Sequence, residues 1–222
     1  MQKEEQTSEP LEYIRGFTEF LGVNIDLSQR PLIPRPETEF WVEKALSTVL
    51  TDKNSKIRCL DLFAGSGCIG LAVLVKAPFV LCDIADSQSS CIKQIRINCK
   101  LNNINKKRYK IIKSDVFSNI KEKYDYIFAN PPYIPTTKKS RVQKLVLKYE
   151  PKTALFAGKD GLFYIKKFLK QAKAHLKPEG KIFMEFDSPQ KSEIKKLVKK
   201  YDYAGCEFHR DQYGKYRWVV IT

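Results

Sequence analysis

The feature that most constrains the fold of this chain is a glycine-rich turn between a short apolar segment and a helical one. Residues 56–63 read as a strand, Gly65, Gly67 and Gly70 follow, and a helix is predicted from about Gly67 to Lys76. Glycines at this spacing let the backbone turn tightly, approach a ligand closely and pack the helix against the strand. The turn therefore predicts the first strand–helix unit of an open α/β sheet, which binds its ligand at the carboxyl ends of the strands.

Predicted strands and helices alternate along the rest of the chain. Strands are predicted at 56–63, 79–86, 109–115, 124–130, 181–187, 206–210 and 216–221, and further helices at 37–50, 89–101, 161–176 and 190–200. Strands separated by helices pair in parallel through crossover connections, whereas the last two, joined by a short turn, pair as an antiparallel hairpin. The expected fold class is α/β, with a mostly parallel seven-stranded sheet, a C-terminal antiparallel hairpin and helices on both faces.

The length of 222 residues corresponds to one full domain with a short appendage. We expect residues 1–36 to form a lead-in or linker, with a possible hairpin within 11–30, and residues 37–222 to form the main domain. No apolar run approaches the roughly 20 residues that span a bilayer, and the N-terminus lacks the apolar segment of a secretion signal. We therefore expect a cytoplasmic protein that does not bind a membrane.

The formal net charge of +15 has two interpretations. A basic surface neutralises phosphates, which favours an acidic or RNA-associated partner. However, only nine of the 40 basic residues are arginines, the usual readers of phosphate forks and guanine edges, and the lysines are spread along the chain. A solvated lysine surface is therefore the alternative, and composition alone leaves both interpretations open.

Six cysteines and two histidines give no metal-binding pattern. No cysteine pair has the C-x-x-C spacing, and His175 and His209 lack companions at the spacing of metal ligands. In a chain without a secretion signal, we expect the cysteines to be reduced core residues, and we predict no structural metal.

Aspartates stand at the ends of three successive predicted strands. The glycine turn alone fits NAD, FAD or S-adenosylmethionine, but a carboxylate at Asp61 repels a pyrophosphate and suits a cationic sulfonium ligand with an amino group. Asp86 is predicted to accept hydrogen bonds from a ribose diol, with Asp83, inside the same strand, as the alternative. Asp115 is placed to accept from an adenine amino group while Val116 packs on the ring.

The fourth strand ends in Asn130, Pro131, Pro132 and Tyr133. Two prolines cannot continue a hydrogen-bonded strand, and they restrict Asn130 to extended geometry. The Asn130 amide and the Pro131 carbonyl are then acceptors that can grip a planar NH2 group, and Tyr133 supplies an aromatic face. We predict these four residues to be the catalytic and substrate-binding motif.

Taken together, these motifs resemble the signature of those class I S-adenosylmethionine-dependent methyltransferases, with a Rossmann-like fold, that alkylate a planar amide or an exocyclic nitrogen. The resemblance implies S-adenosyl-L-methionine as the cofactor and 37–222 as the catalytic domain. The implied cofactor-binding residues are Asp61, Phe63, Ala64, Gly65, Ser66, Gly67, Asp86, Asp115, Val116 and Asn130. The N-P-P-Y motif is shared by adenine-N6, guanine-N2 and glutamine-N5 enzymes, so it does not choose among them.

Two segments outside the cofactor motifs favour one branch. The segment LIPRPETE at 32–39 (hereafter the proline-rich segment) and the segment YEPKTAL at 149–155, followed by Gly161, are similar to the HemK/PrmC family of release-factor glutamine methyltransferases. The resemblance implies methylation of glutamine N5 in the Gly-Gly-Gln motif of a peptide chain release factor. Since that family usually carries an N-terminal helical domain and only about 30 residues precede the proline-rich segment, we expect a short form.

The nucleic-acid interpretation stays as the alternative at this point. An N-methyltransferase acting on an exocyclic amino group of adenine or guanine in RNA or DNA would also use N-P-P-Y, with Tyr133 stacking on a flipped base. For the favoured branch we expect a monomer with weak RNA or ribosome association through the basic surface.

Overall fold

Seven strands form one central sheet in the computed structural model, which describes residues 9–52 and 56–222. A two-stranded hairpin precedes the sheet and consists of β1 (Phe17–Phe20) and β2 (Val23–Asp26). The sheet strands are β3 (Arg58–Leu62), β4 (Leu81–Asp86), β5 (Tyr109–Lys113), β6 (Tyr124–Ala129), β7 (Leu176–Glu185), β8 (Cys206–Arg210) and β9 (Tyr216–Ile221). The helices are α1 (Leu11–Arg15), α2 (Pro36–Thr51), α3 (Cys68–Lys76), α4 (Ser89–Leu101), α5 (Lys144–Tyr149), α6 (Phe163–Ala172) and α7 (Lys191–Lys200). Within the described ranges, no helix is both long and apolar enough to cross a membrane.

The order of strands in the central sheet is β5-β4-β3-β6-β7-β9-β8. The strands β3 to β7 run parallel to one another, and β9 runs antiparallel to both β7 and β8. The predicted α/β fold with a C-terminal antiparallel hairpin is thereby confirmed. From β3 the chain proceeds to one edge of the sheet and then returns to β6 on the other side of β3. Sheets with this reversal bind ligands at the carboxyl ends of the strands beside it.

Helices cover both faces of the sheet, as predicted. Cys59 and Phe128 belong to the core that contains α2, α3 and α4, whereas Leu60 and Ile127 belong to the core that contains α6 and α7. Neighbouring residues of a strand thus enter different cores, which is the two-residue period of a strand. Burial on both faces explains why these strands read as continuous apolar runs.

The hairpin β1–β2 lies where the sequence predicts a possible hairpin. Its Phe20, Val23 and Ile25 are buried in the same core as α2, α3 and α4, and the Asp26 N–H donates to Asn98 Oδ1 on α4 at 2.8 Å. The lead-in therefore packs onto the main domain. The division of the chain at residue 36 stays a prediction, and residues 1–8 of the predicted lead-in lie outside the described residues.

The boundaries predicted around the fifth strand of the sheet are wrong. β7 begins at Leu176 instead of residue 181, and α6 covers only Phe163–Ala172 of the predicted helix 161–176, with a short 3-10 turn after it. Pro178 and Glu179 are exposed, so the first half of β7 lacks the apolar pattern of its second half. The sequence also gives no sign of α5, because all six of its residues are at least partly exposed and carry no period of burial.

Candidate active site

A cavity of about 290 Å³ opens at the carboxyl ends of β3, β4, β5 and β6. The turns after these strands line it, together with residues from 30–38 and from 151–154. The predicted site residues among its lining are Phe63, Ala64, Gly65, Ser66, Asp86, Asp115, Val116, Asn130 and Pro132. The structure thus brings most of the predicted site together. The predicted residues outside the described lining are Asp61, Gly67, Pro131 and Tyr133.

The turn after β3 leaves open space beside its backbone. Gly65 has a φ of +55°, and a Cβ built on it would meet no described atom within 4 Å. A ligand can therefore approach the Gly65 backbone closely. Gly70 has a different role, because a Cβ there would lie 2.8 Å from Ile84 Cγ1, so its small size lets α3 pack directly on β4. Phe63 also has a left-handed φ, of +63°, and its ring packs edge-on against Tyr164.

Of the two candidates for a ribose ligand, Asp86 lines the cavity. Its carboxylate accepts from the Gly65 N–H at 2.9 Å and from the Gln88 N–H at 2.8 Å, and burial raises its pKa. The Cys91 thiol and the Ser87 N–H also donate to this carboxylate. Asp83 instead lies within the sheet and pairs with Arg58 at 3.0 Å. The geometry therefore favours Asp86.

Asp61 is fully buried and does not line the cavity. Its Oδ2 accepts from the Gly70 N–H at 2.8 Å, while its Oδ1 has no hydrogen-bond partner among the described residues. Burial raises the pKa of Asp61 to about 7. At the cavity itself, the carboxylates of Asp86 and Asp115 and the open backbone at Gly65 fit a ligand with hydroxyl and amino donors. S-adenosylmethionine carries both.

The turn after β5 places Asp115 and Val116 at the cavity. The side chain of Asp115 is 62% exposed, and its carboxylate pairs with Lys167 Nζ at 2.6 Å. Val116 is buried, with a left-handed φ of +52°, and its carbonyl accepts from the Ser114 hydroxyl at 2.7 Å. The turn therefore offers a ligand one polar and one apolar side chain.

The N-P-P-Y motif follows β6 and meets the cavity with two of its four residues. Asn130 and Pro132 line the cavity, whereas Pro131 and Tyr133 do not. The Tyr133 hydroxyl donates to Glu185 Oε1 at 3.0 Å, and its pKa is raised well above the ordinary value because the phenol is buried beside this carboxylate. The sequence predicts that Tyr133 presents an aromatic face to the substrate. In the structure its hydroxyl instead contacts the protein interior at Glu185.

Glu185, the last residue of β7, lies beside the motif and is not among the site residues predicted from the sequence. It is buried, and its Oε2 accepts from the Thr38 hydroxyl and from Trp41 Nε1, both at 2.7 Å. The Thr38 hydroxyl also accepts from Asn130 Nδ2 at 3.3 Å. An acid that ends an apolar strand is the signal that identifies Asp86, and the same signal applies to Glu185.

The two segments that carry the family resemblance contact each other at the cavity. Arg35 of the proline-rich segment forms an ion pair with Glu150, and Glu150 Oε2 accepts from the Ile33 N–H at 3.3 Å. The side chain of Glu150 is 1% exposed. This pair joins segments that are 115 residues apart, and both segments contribute to the lining of the cavity.

Comparisons with known proteins agree with this geometry. Residues 43–152 match the model of the family described as "Methyltransferase small domain". The chain is similar to the release factor glutamine methyltransferase of Streptococcus pneumoniae, with 37% identity over 213 residues, 96% of this chain and 74% of the relative. It is also similar to the release factor glutamine methyltransferase of Thermodesulfovibrio yellowstonii, with 36% identity over 96% of this chain and 76% of the relative.

Solved structures with low sequence identity share the fold. The ribosomal protein L11 methylase of Lactobacillus delbrueckii subsp. bulgaricus aligns with a TM-score of 0.64 and 14% identity, over 89% of this chain and 83% of the other. The 16S rRNA N2 G1207 methyltransferase of Thermus thermophilus, solved with AdoMet and guanosine, aligns with a TM-score of 0.63 and 16% identity, over 92% of this chain and 49% of the other. At these identities the likeness concerns the fold alone.

Proposed function

The chain belongs to the family of release factor glutamine methyltransferases, and from this premise we propose the reaction that it catalyses. It transfers a methyl group from S-adenosylmethionine to the side-chain nitrogen, N5, of a glutamine in the Gly-Gly-Gln motif of a peptide chain release factor. The observation that carries this proposal is the position of Asn130 and Pro132, which line the same cavity as Asp86 and the glycine turn.

The residues that would hold the cofactor follow from the cavity. When bound, S-adenosylmethionine supplies an activated methyl group on a sulfonium. Asp86 would hold the ribose hydroxyls, the open backbone at Gly65 would let the ligand approach closely, and Val116 and Asp115 would hold the adenine ring and its amino group. Asp61 would act indirectly, because it is buried and accepts from the Gly70 N–H, which holds the start of α3 against β3.

A glutamine side-chain nitrogen is a poor nucleophile, because its lone pair is delocalised into the carbonyl group. The main task of the protein is therefore to orient this nitrogen in a cleft from which water is excluded. The Asn130 Oδ1 and the Pro131 carbonyl accept hydrogen bonds from the two N–H groups of the target amide. These bonds orient the amide nitrogen toward the methyl group. Positive charge develops on the nitrogen during transfer and strengthens both hydrogen bonds. The proton then passes to water.

Mass spectrometry of a release factor tests the reaction. After incubation with the enzyme and S-adenosylmethionine, the Gly-Gly-Gln peptide is expected to gain one methyl group, and fragmentation is expected to locate that group on the glutamine side chain. Asn130→Ala should abolish the gain even at saturating S-adenosylmethionine, so that a change in cofactor affinity alone does not account for the loss. A release factor with glutamate in place of the glutamine is the substrate control.

The same assay discriminates the nucleic-acid alternative. Incubation with labelled cofactor and naked RNA or DNA should give no labelled nucleic acid under conditions that label the release factor. Label in nucleic acid, with none in the release factor, would contradict glutamine methylation and favour a flipped base as the acceptor.

Three further properties belong to the proposal. The protein acts as a monomer, and it acts in the cytoplasm, where release factors function. Its net charge of +15 gives a weak association with RNA or the ribosome. Exposed lysines on α7, among them Lys195, Lys196 and Lys199, support the basic surface. Sedimentation at several protein concentrations checks the monomer, and a steep loss of RNA binding as salt is raised checks the association.

A further inference from the structure

A chain of hydrogen bonds connects a buried carboxylate to the catalytic motif. Thr38 donates to Glu185 Oε2 at 2.7 Å, and the Thr38 oxygen accepts from Asn130 Nδ2 at 3.3 Å. We propose that Glu185 and Thr38 are positioning residues, which fix the edge of the Asn130 amide that meets the substrate. This inference rests on the proposed function, because it explains the orientation of a group that binds the target amide.

The direction of each bond in this chain follows from the donors present. Glu185 as a carboxylate only accepts, so the single hydroxyl proton of Thr38 is committed to it. The Thr38 oxygen then offers only lone pairs to Asn130, and the edge of the amide that faces Thr38 must be its NH2 edge. Asn130 Oδ1 therefore faces away from Thr38 and is free to accept an N–H from the target amide.

Glu185, the carboxylate that begins this chain of hydrogen bonds, accepts hydrogen bonds on both of its oxygens. Trp41 Nε1 donates to Oε2 at 2.7 Å and the Tyr133 hydroxyl donates to Oε1 at 3.0 Å, while Glu185 itself is 2% exposed. Three donors restrict the rotation of the carboxylate and satisfy a group that would otherwise be costly to bury. One side chain thus orients Asn130 through Thr38 and also holds Tyr133 directly.

Thr38, the middle member of this chain of hydrogen bonds, belongs to the proline-rich segment. Pro36 begins α2 and Thr38 lies in its first turn, so the segment fixes the position at which the hydroxyl meets β6 and β7. The family resemblance identifies this segment but assigns no physical role to Thr38. The hydrogen bonds give it one, namely to transmit the orientation of a buried acid to the residue that binds the substrate.

Two variants each remove a different member of this chain of hydrogen bonds. Glu185→Leu removes the acceptor of the Thr38 hydroxyl, which is then free to donate to Asn130 Oδ1 and to turn the amide over. Thr38→Val removes the hydroxyl at nearly the same volume. Both are expected to lower kcat on the release factor about 10- to 100-fold, because a misplaced nucleophile loses its attack geometry. The matched control Thr38→Ser keeps the hydroxyl and should retain most of the wild-type kcat.

A second readout does not depend on turnover. In NMR spectra of the full-length protein without cofactor, the NH2 pair of Asn130 is identified by its loss in Asn130→Ala. We expect this pair to shift in Glu185→Leu and Thr38→Val and to keep its position in Thr38→Ser. The KM for S-adenosylmethionine should change less than about twofold in all three variants, since positioning acts on the transition state of transfer.

The outcomes separate this inference from the proposed function. Wild-type kcat in Glu185→Leu and Thr38→Val, or an unshifted NH2 pair, would contradict the positioning role. A loss of kcat in Thr38→Ser equal to that in Thr38→Val would also contradict it. If the wild-type enzyme does not methylate the release factor, the proposed function fails, and the NMR comparison still decides whether Glu185 and Thr38 orient Asn130.

Discussion

Replacing Gly161 by alanine tests how closely the loop before α6 packs against the catalytic motif. Gly161 precedes α6 and has a φ of +74°. A Cβ built on it would lie 2.3 Å from the Tyr133 carbonyl oxygen, 2.9 Å from Gln190 Nε2 and 3.0 Å from Pro135 Cδ. Gln190 Nε2 itself donates to the Tyr133 carbonyl at 2.9 Å and to the Gly161 carbonyl at 3.0 Å. The added methyl group therefore strikes the backbone of the motif and the side chain that supports it.

The cost of Gly161→Ala is the sum of three effects. A left-handed φ costs a residue with a Cβ roughly 1 kcal/mol relative to glycine. Overpacking adds about 1–3 kcal/mol, because a carbonyl oxygen at 2.3 Å must move. Weakening the two hydrogen bonds of Gln190 adds roughly 0.5–1.5 kcal/mol for each bond lost. With both hydrogen bonds lost, we expect a decrease of about 3–7 kcal/mol in the free energy of unfolding, out of a typical total of about 5–15 kcal/mol.

Gly214→Ala is the matched control for backbone strain. Gly214 lies between β8 and β9 with a φ of +77°, and a Cβ there would meet no described atom within 4 Å. It should therefore lose only the roughly 1 kcal/mol of the left-handed conformation. Urea unfolding of both variants, followed by the fluorescence of the buried Trp41 and Trp218, measures the difference. Gly161→Ala should also lower kcat and leave the affinity for S-adenosylmethionine unchanged, since Asp86 is not in contact with it.

Two results would refute this reasoning. Equal losses of stability in Gly161→Ala and Gly214→Ala would mean that the motif moves aside at no cost, so the close packing has no energetic weight. A destabilised Gly161→Ala variant with the kcat of the wild type would mean that the Tyr133 carbonyl can shift without moving Asn130.

Three further predictions concern the acids of the site. Asp86→Asn should weaken S-adenosylmethionine binding roughly 10- to 100-fold; in the wild type, binding should weaken as the pH is lowered toward the raised pKa of Asp86, both measured by titration calorimetry. The pKa of Asp61 is about 7 in the folded protein against about 3.9 in the unfolded chain, so the folded state holds the extra proton between these values and stability falls as pH rises through them. Asp61→Asn removes this dependence, and its free energy of unfolding relative to the wild type should rise by about 2–3 kcal/mol between pH 5 and pH 8 in urea titrations. Arg35→Met leaves Glu150 buried without its cation and should cost about 2 kcal/mol, whereas the double variant with Glu150→Gln should cost less, which a double-mutant cycle measures.

Much of the fold was predictable because most strands are buried on two faces. Three of the five residues of β3 and five of the six residues of β6 are apolar, and the glycine turn after β3 marks where the ligand must lie. The first half of β7 and the whole of α5 were not predictable, since exposed residues there give no period to read. Sequence patterns report burial, so elements that bury little stay hidden until the chain is folded.

The position of Asp61 shows a second limit, which lies in the face of a strand. Asp61 and Asp86 both stand near the ends of apolar strands, and this predicts the edge of the sheet but not the direction of the side chain. Asp61 is two residues from Cys59 and therefore lies on the face covered by α3, where its carboxylate meets the Gly70 N–H. The two-residue period was available in the sequence and would have directed Asp61 away from the cavity.

The relation between Glu185 and Asn130 marks the limit that no local pattern can overcome. Thr38 and Glu185 are 147 residues apart, and their contact requires that β7 pairs with β6 and that α2 covers the ends of both strands. Strand order is a property of the whole sheet, so it cannot be read from any one segment. Once the order is known, the consequence follows directly: the acid that ends β7 must lie beside the asparagine that follows β6. The proline-rich segment is then explained by the hydroxyl that it brings between them, and this requires a threonine or serine at position 38, where an apolar residue of the same size would fill the space but break the hydrogen-bond chain.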